Sequence, residues 1–163
     1  MEIRQKVSSP QKAILKSVSD INLFLGGVGS GKTFILGIKT LQFVIKFPKI
    51  RGFIGANTIM QLNQSTLFRI REYWKSVGVC EYDKDMNPNG FYVVNRKPPT
   101  HFNTESHNFD TYHGIISFNN GCIIFIGSLE NASAHAGKEF GWAVLDETLY
   151  TREEDVKEVI LAR

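Results

Sequence analysis

The stretch LGGVGSGKTF, Leu25 to Phe34, constrains this chain more than any other. It lies between a compact apolar run, INLFLGG (Ile21 to Gly27), and a longer segment, KTFILGIKTLQFVIKF, that is apolar on most sides. The first reads as a buried parallel strand that turns sharply at its glycines, the second as a helix packed deep against a sheet. Gly26, four intervening residues, Gly31, Lys32 and Thr33 satisfy the phosphate-loop spacing. Glycines let the N–H groups from Gly26 through Gly27, Val28, Gly29, Ser30 and Gly31 curl inward on a β-phosphate, and the helix starting near Lys32 adds its positive end. Lys32 then reaches the β- and γ-phosphates of ATP, and the Thr33 hydroxyl binds Mg²⁺. A glycine-rich turn without a ligand is the bland alternative; the flanking strand and helix favour nucleotide.

A chain of 163 residues has room for one core, so residues 1–163 are read as a single domain. Its 42% hydrophobic and 21% charged residues suit a soluble globular protein, and no apolar run is long enough for a membrane span. The polar Met1 to Pro10 lacks an apolar signal core, which points to the cytoplasm. Cys80 and Cys122 stand far apart, against a zinc site or disulfide framework. A net charge of +3 is too mild to name a nucleic-acid partner.

Strands and helices alternate along the chain, giving an α/β fold class. SSPQKAIL reads as a helix start with Ser9 as N-cap and Pro10 at the first position, running to about Val18. RGFIGANT (Arg51 to Thr58) reads as a strand, and Thr58 with Gln61 as a capping box for a helix whose apolar stripe is Leu67, Ile70, Trp74 and Val77. Residues 81–112 form a long surface excursion in which only FYVVN resembles a strand. HGIISFNNGCIIFIGS is a hairpin with a primed turn at Asn120-Gly121. GWAVLDE (Gly141 to Glu147) is an apolar strand that ends in two carboxylates and leads into a charged helix.

That acidic pair supplies the other half of a hydrolytic site. Asp146 would hold the Mg²⁺ hydration shell, and Glu147 would polarise the water attacking the γ-phosphate. The alternative is that both merely cap the following helix. His101, His107 and His113 recur every six residues, a spacing that fits no helix face, and read as loop histidines. Arg69, Arg71 and Lys75 either touch DNA phosphates or make up a solvated face, with the latter preferred.

The chain resembles the ATPase domain of the large subunit of bacteriophage terminases, which package DNA. The resemblance rests on GGVGSGKT, GFIGANTIMQLNQSTLFRI, ISFNNGCIIFIGS and AGKEFGWAVLDET, and covers most of Ser9 to Leu161. It implies a phosphate-loop ATPase of the RecA-like, additional-strand class: a three-layer sandwich around a mainly parallel sheet. It further implies coupling of Mg-ATP hydrolysis to movement of double-stranded DNA, a small terminase subunit and the portal of a procapsid as partners, a homo-oligomeric ring, and action in the cytoplasm of an infected bacterium. Gln11 becomes an adenine reader, with helix-start polarity as the alternative. A DNA-dependent helicase or recombinase-type ATPase shares both nucleotide motifs, and a nucleotide-binding fragment without turnover is a third reading.

The chain departs from the family pattern in three places. Val28 stands where many terminases carry a basic residue in the loop, and Ala136 where many carry an arginine. An arginine finger stabilises the charge of phosphoryl transfer, and here Lys138 or His135 would have to serve in part in that role. The family's later coupling motif and its nuclease domain have no counterpart before Arg163. By the same resemblance a further strand belongs between the phosphate-loop strand and the acidic-pair strand, so the sheet is expected to be incomplete at the C-terminus.

Overall fold

A computed structural model describes residues 6–27, 29–103, 105, 109–135, 137–148 and 151–157. Its helices are α1 (Ser9–Lys16), α2 (Lys32–Lys46), a short α3 (Ile59–Gln61) passing through a π-helical turn (Leu62–Thr66) into α4 (Leu67–Ser76), and α5 (Glu153–Val156). The strands are β1 (Arg51–Ala56), β2 (Tyr92–Val94), β3 (Ile115–Phe118), β4 (Ile123–Ser128) and β5 (Trp142–Asp146). They form one five-stranded sheet in the order β2-β3-β4-β1-β5. β1 is parallel to both β4 and β5, whereas β2, β3 and β4 pair antiparallel. The expected α/β class stands, with the parallel strands at the end of the sheet that carries Asp146.

Residue alternation sorts the sheet's side chains onto two faces. Ile54, Ile116, Ile124, Ile126, Trp142 and Val144 face α2 and α4 in the larger core. The stripe Leu67, Ile70, Trp74 and Val77 is buried in that core as its helical spacing predicts. Trp74 is fully buried, and its indole N–H donates to the Gly37 carbonyl at 3.1 Å, stitching α4 to α2. Trp74→Ala is expected to cost about 3–5 kcal/mol, read as a fall in the urea midpoint without a change of slope. On the other face Phe53, Ile115, Ile123, Phe125 and Leu129 are covered by Phe109, Tyr112 and Phe140. The 81–112 excursion is therefore more than surface: it contributes Phe109 and Tyr112 to this cover and buries Phe102.

Several local expectations need correction. The N-cap of α1 is Ser8, and Gln11 is the third helical residue, its amide oxygen accepting from the Ser8 N–H at 2.9 Å. The β3–β4 connection is a three-residue loop, Asn119 to Gly121, in which only Gly121 takes positive φ (88°). The type I′ turn that Asn-Gly favours needs both central residues there. Asn120 instead donates its amide to the Val44 carbonyl at 2.8 Å, tying the loop to the end of α2.

The largest correction concerns Ile21 to Gly27, which is not a strand. Ile21, Leu23 and Leu25 are 69%, 74% and 81% exposed. An alternating apolar run becomes a strand only where a neighbour offers hydrogen bonds and a face to cover. Among the described residues β5 pairs with β1 alone, and no strand lies between it and this run.

Candidate functional site

The glycine loop delivers the start of α2 beside the end of β5. Gly31 is the N-cap of α2 in the left-handed conformation, φ 78°, which a side-chain-bearing residue seldom adopts. A Cβ on Gly26 would overlap the Ser30 side chain, so the loop closes this tightly only with glycine there. The Lys32 ammonium folds over the loop and donates to the carbonyls of Gly26 (2.7 Å) and Gly27 (3.0 Å). Gln11 reaches the same loop from α1, its amide donating to the Ser30 carbonyl at 3.0 Å. Gln11 thus both completes the start of α1 and touches the loop. Val28 lies outside the described residues.

Thr33 and Asp146, far apart in sequence, meet here: the Thr33 hydroxyl donates to Asp146 Oδ2 at 3.2 Å. Asp146 is 5% exposed, and a buried carboxylate needs donors. The second donor is Thr66, whose hydroxyl reaches the same oxygen at 2.8 Å. Glu147 follows with φ 49°, an uncommon left-handed position for a residue with a side chain, and its Oε2 accepts from the Gln61 amide.

Two contacts here were not legible as site features. Thr58 does cap α3, accepting from the Gln61 N–H at 3.1 Å, but the Gln61 side chain turns to Glu147 instead of back to the cap. Thr66 carried no signal at all, because α-helical counting puts it on a different face from Gln61. The acidic pair does not cap α5, whose N-cap is Arg152.

Other candidates fall away from this point. His135 is buried on the opposite sheet face, its ring 4.9 Å from that of Phe53. Burial and then the neighbouring Lys138 hold its pKa below the ordinary histidine value, against the raising effect of its hydrogen bond to the Ser128 backbone carbonyl. The Lys138 ammonium sits 5.3 Å above the Phe125 ring on that same face. Both residues thus pack against rings of the smaller core, and Ala136 lies outside the described residues. Arg71 is bound to Glu81 at 2.5 Å and to the Tyr92 hydroxyl at 3.4 Å, while Arg69 pairs with Glu72 on the helix surface at 3.1 Å. His101 packs against the rings of Tyr82 and Phe102, and His107 is outside the described residues.

Residues 23–162 match the family described as terminase large subunit, T4likevirus-type, N-terminal. The chain belongs to that terminase large-subunit family. Among solved structures this terminase chain is similar to the ATPase domain of a Thermus phage large terminase, with a TM-score of 0.61 at 15% identity. The match covers 96% of this chain and 59% of the other, so the chain spans under two thirds of that relative's length. At such identity the likeness concerns the fold alone, a mixed α/β fold around an open sheet. A comparison with curated proteins finds no match. Among the described residues of this terminase chain, no helix is long and apolar enough to cross a membrane.

Proposed function

We propose that the chain is the ATP-hydrolysing motor domain of a phage DNA-packaging terminase, coupling Mg-ATP hydrolysis to movement of double-stranded DNA into a procapsid. The observation that carries this reading is the contact of the Thr33 hydroxyl with Asp146, with Lys32 at one side and Glu147 at the other. The residues suit the groups they would hold. The Ser30 hydroxyl is buried with no partner among the described residues, inside a loop whose glycines admit close approach by phosphate. Thr33 and Asp146 offer the hard oxygen donors that Mg²⁺ takes in small number, leaving its other positions to phosphate and water. When bound, the metal supplies charge neutralisation on the phosphates.

In this reading Lys32 leaves the carbonyls of Gly26 and Gly27 and turns its ammonium to the β- and γ-phosphates, while the loop N–H groups hold the β-phosphate. Asp146 keeps the Thr33 hydroxyl in place. Glu147 releases the Gln61 amide and accepts a hydrogen bond from the attacking water, aligning it for in-line displacement. Gln11 stands where α1 meets the loop and reads the adenine edge. Partners in this function are duplex DNA, a small terminase subunit, the portal and further copies of the chain in a ring, in the cytoplasm of the infected host.

The test has two stages. A fluorescent ATP analogue is expected to bind the purified chain more tightly with Mg²⁺ than with EDTA. Terminase carrying this sequence is expected to fill portal-bearing procapsids with DNA in an ATP-dependent way, and Asp146→Ala to abolish filling. ATP-driven strand separation without procapsids would instead assign the chain to the helicase class.

A further inference from the structure

We propose that the π-helical turn at Leu62–Thr66 is a positioning element for the acidic pair, with Thr66 setting the Asp146 carboxylate so that it presents the Thr33 hydroxyl to the divalent cation accompanying nucleotide. This rests on the reading of the site as one for Mg-nucleotide. A π turn is rare and locally less well bonded than an α-helix, and such turns concentrate at functional sites. Here it is closed by the Leu67 N–H donating to the Leu62 carbonyl. In a regular α-helix two residues five apart point about 140° away from each other. The extra residue in the turn narrows that angle, so that Gln61 and Thr66 both address the end of β5, one at Glu147 and the other at Asp146.

The Thr66 hydroxyl has an unusual destination. A buried threonine on a helix commonly returns its hydroxyl to a carbonyl one turn back, as Thr40 does to Leu36 at 2.6 Å. Thr66 is 1% exposed and gives its hydroxyl to Asp146 Oδ2 at 2.8 Å, closer than Thr33 does at 3.2 Å. The two donors also differ in their footing. Thr33 follows directly on the glycine loop, which must rearrange around phosphate. Thr66 precedes α4, anchored in the core by Ile70 and Trp74. Thr66 therefore orients the carboxylate before nucleotide arrives, and Thr33 joins an oxygen already in place.

The measurement is the ratio of fluorescent ATP-analogue affinities in saturating Mg²⁺ and in EDTA, taken for the 163-residue chain and for Thr66→Val, Thr66→Ser and Thr66→Ala. Thr66→Val is nearly isosteric but lacks the hydroxyl. It is expected to leave the EDTA affinity unchanged and to lower the ratio about 10-fold or more, the usual effect of removing a group that orients a metal ligand. Thr66→Ser, which keeps the hydroxyl, is expected to restore the ratio. If Thr66→Val does not melt cooperatively, Ser and Ala decide the matter, since both lack the methyl and only Ser keeps the hydroxyl. An unchanged ratio in Val, or equal ratios in Ser and Ala, overturns the role of Thr66 while leaving the nucleotide site intact. A wild-type affinity indifferent to Mg²⁺ overturns the Mg-nucleotide reading and this inference together.

Discussion

Lys32→Ala is expected to lower affinity for a fluorescent ATP analogue by roughly tenfold to a hundredfold while leaving the thermal melt unchanged. The first part follows from charge: hydrogen bonds to ionised groups contribute about 1.5–3 kcal/mol each, and every 1.4 kcal/mol is about a factor of ten in affinity. The second part follows from location. The Lys32 ammonium touches only the carbonyls of Gly26 and Gly27, at a loop open to water, so removing it exposes no core and strands no buried partner. Equal affinity in wild type and mutant would remove phosphate binding from this loop.

Glu147→Gln is expected to separate binding from chemistry. The substitution keeps size and lets the side-chain oxygen still accept from the Gln61 amide, so the fold and nucleotide affinity should persist. What it loses is the negative charge that orients and polarises water, a role whose removal typically costs about 10²–10⁴ in rate. Single-turnover hydrolysis, compared under conditions where the wild-type sequence shows steady turnover, is the readout. Normal hydrolysis by the glutamine variant would assign the water to another residue.

Much of this site can be read in the sequence because its main parts are local. Glycine spacing, an apolar helix after it and a strand ending in Asp146-Glu147 are each visible in a window of a dozen residues, and β5 and α2 form where expected. The failures have a common origin in non-local pairing. Ile21 to Gly27 has the composition of a strand, yet backbone pairing needs a neighbour, and none of the described strands lies against it. Gln61 satisfied a capping pattern that uses only its own helix, while its side chain was taken by Glu147 across the fold. Thr66 was invisible for a stronger reason: the π turn changes the angular count, so the periodicity that correctly finds Leu67, Ile70 and Trp74 misplaces everything before them.

The same turn bears on how this chain tolerates changes of length. A π turn is in effect one residue inserted into an α-helix, and removing it lets the ladder of i to i+4 hydrogen bonds run unbroken. A deletion within Leu62–Thr66 can thus leave α4 in phase, with Ile70 and Trp74 still facing the sheet, and even gain helical regularity. Such a shortened chain could no longer direct two side chains at neighbouring carboxylates. Helical regularity and the aim of Gln61 and Thr66 thus make opposite demands on the same five residues, and the buried Leu62 and Thr66 also tie this turn to the core and to Asp146.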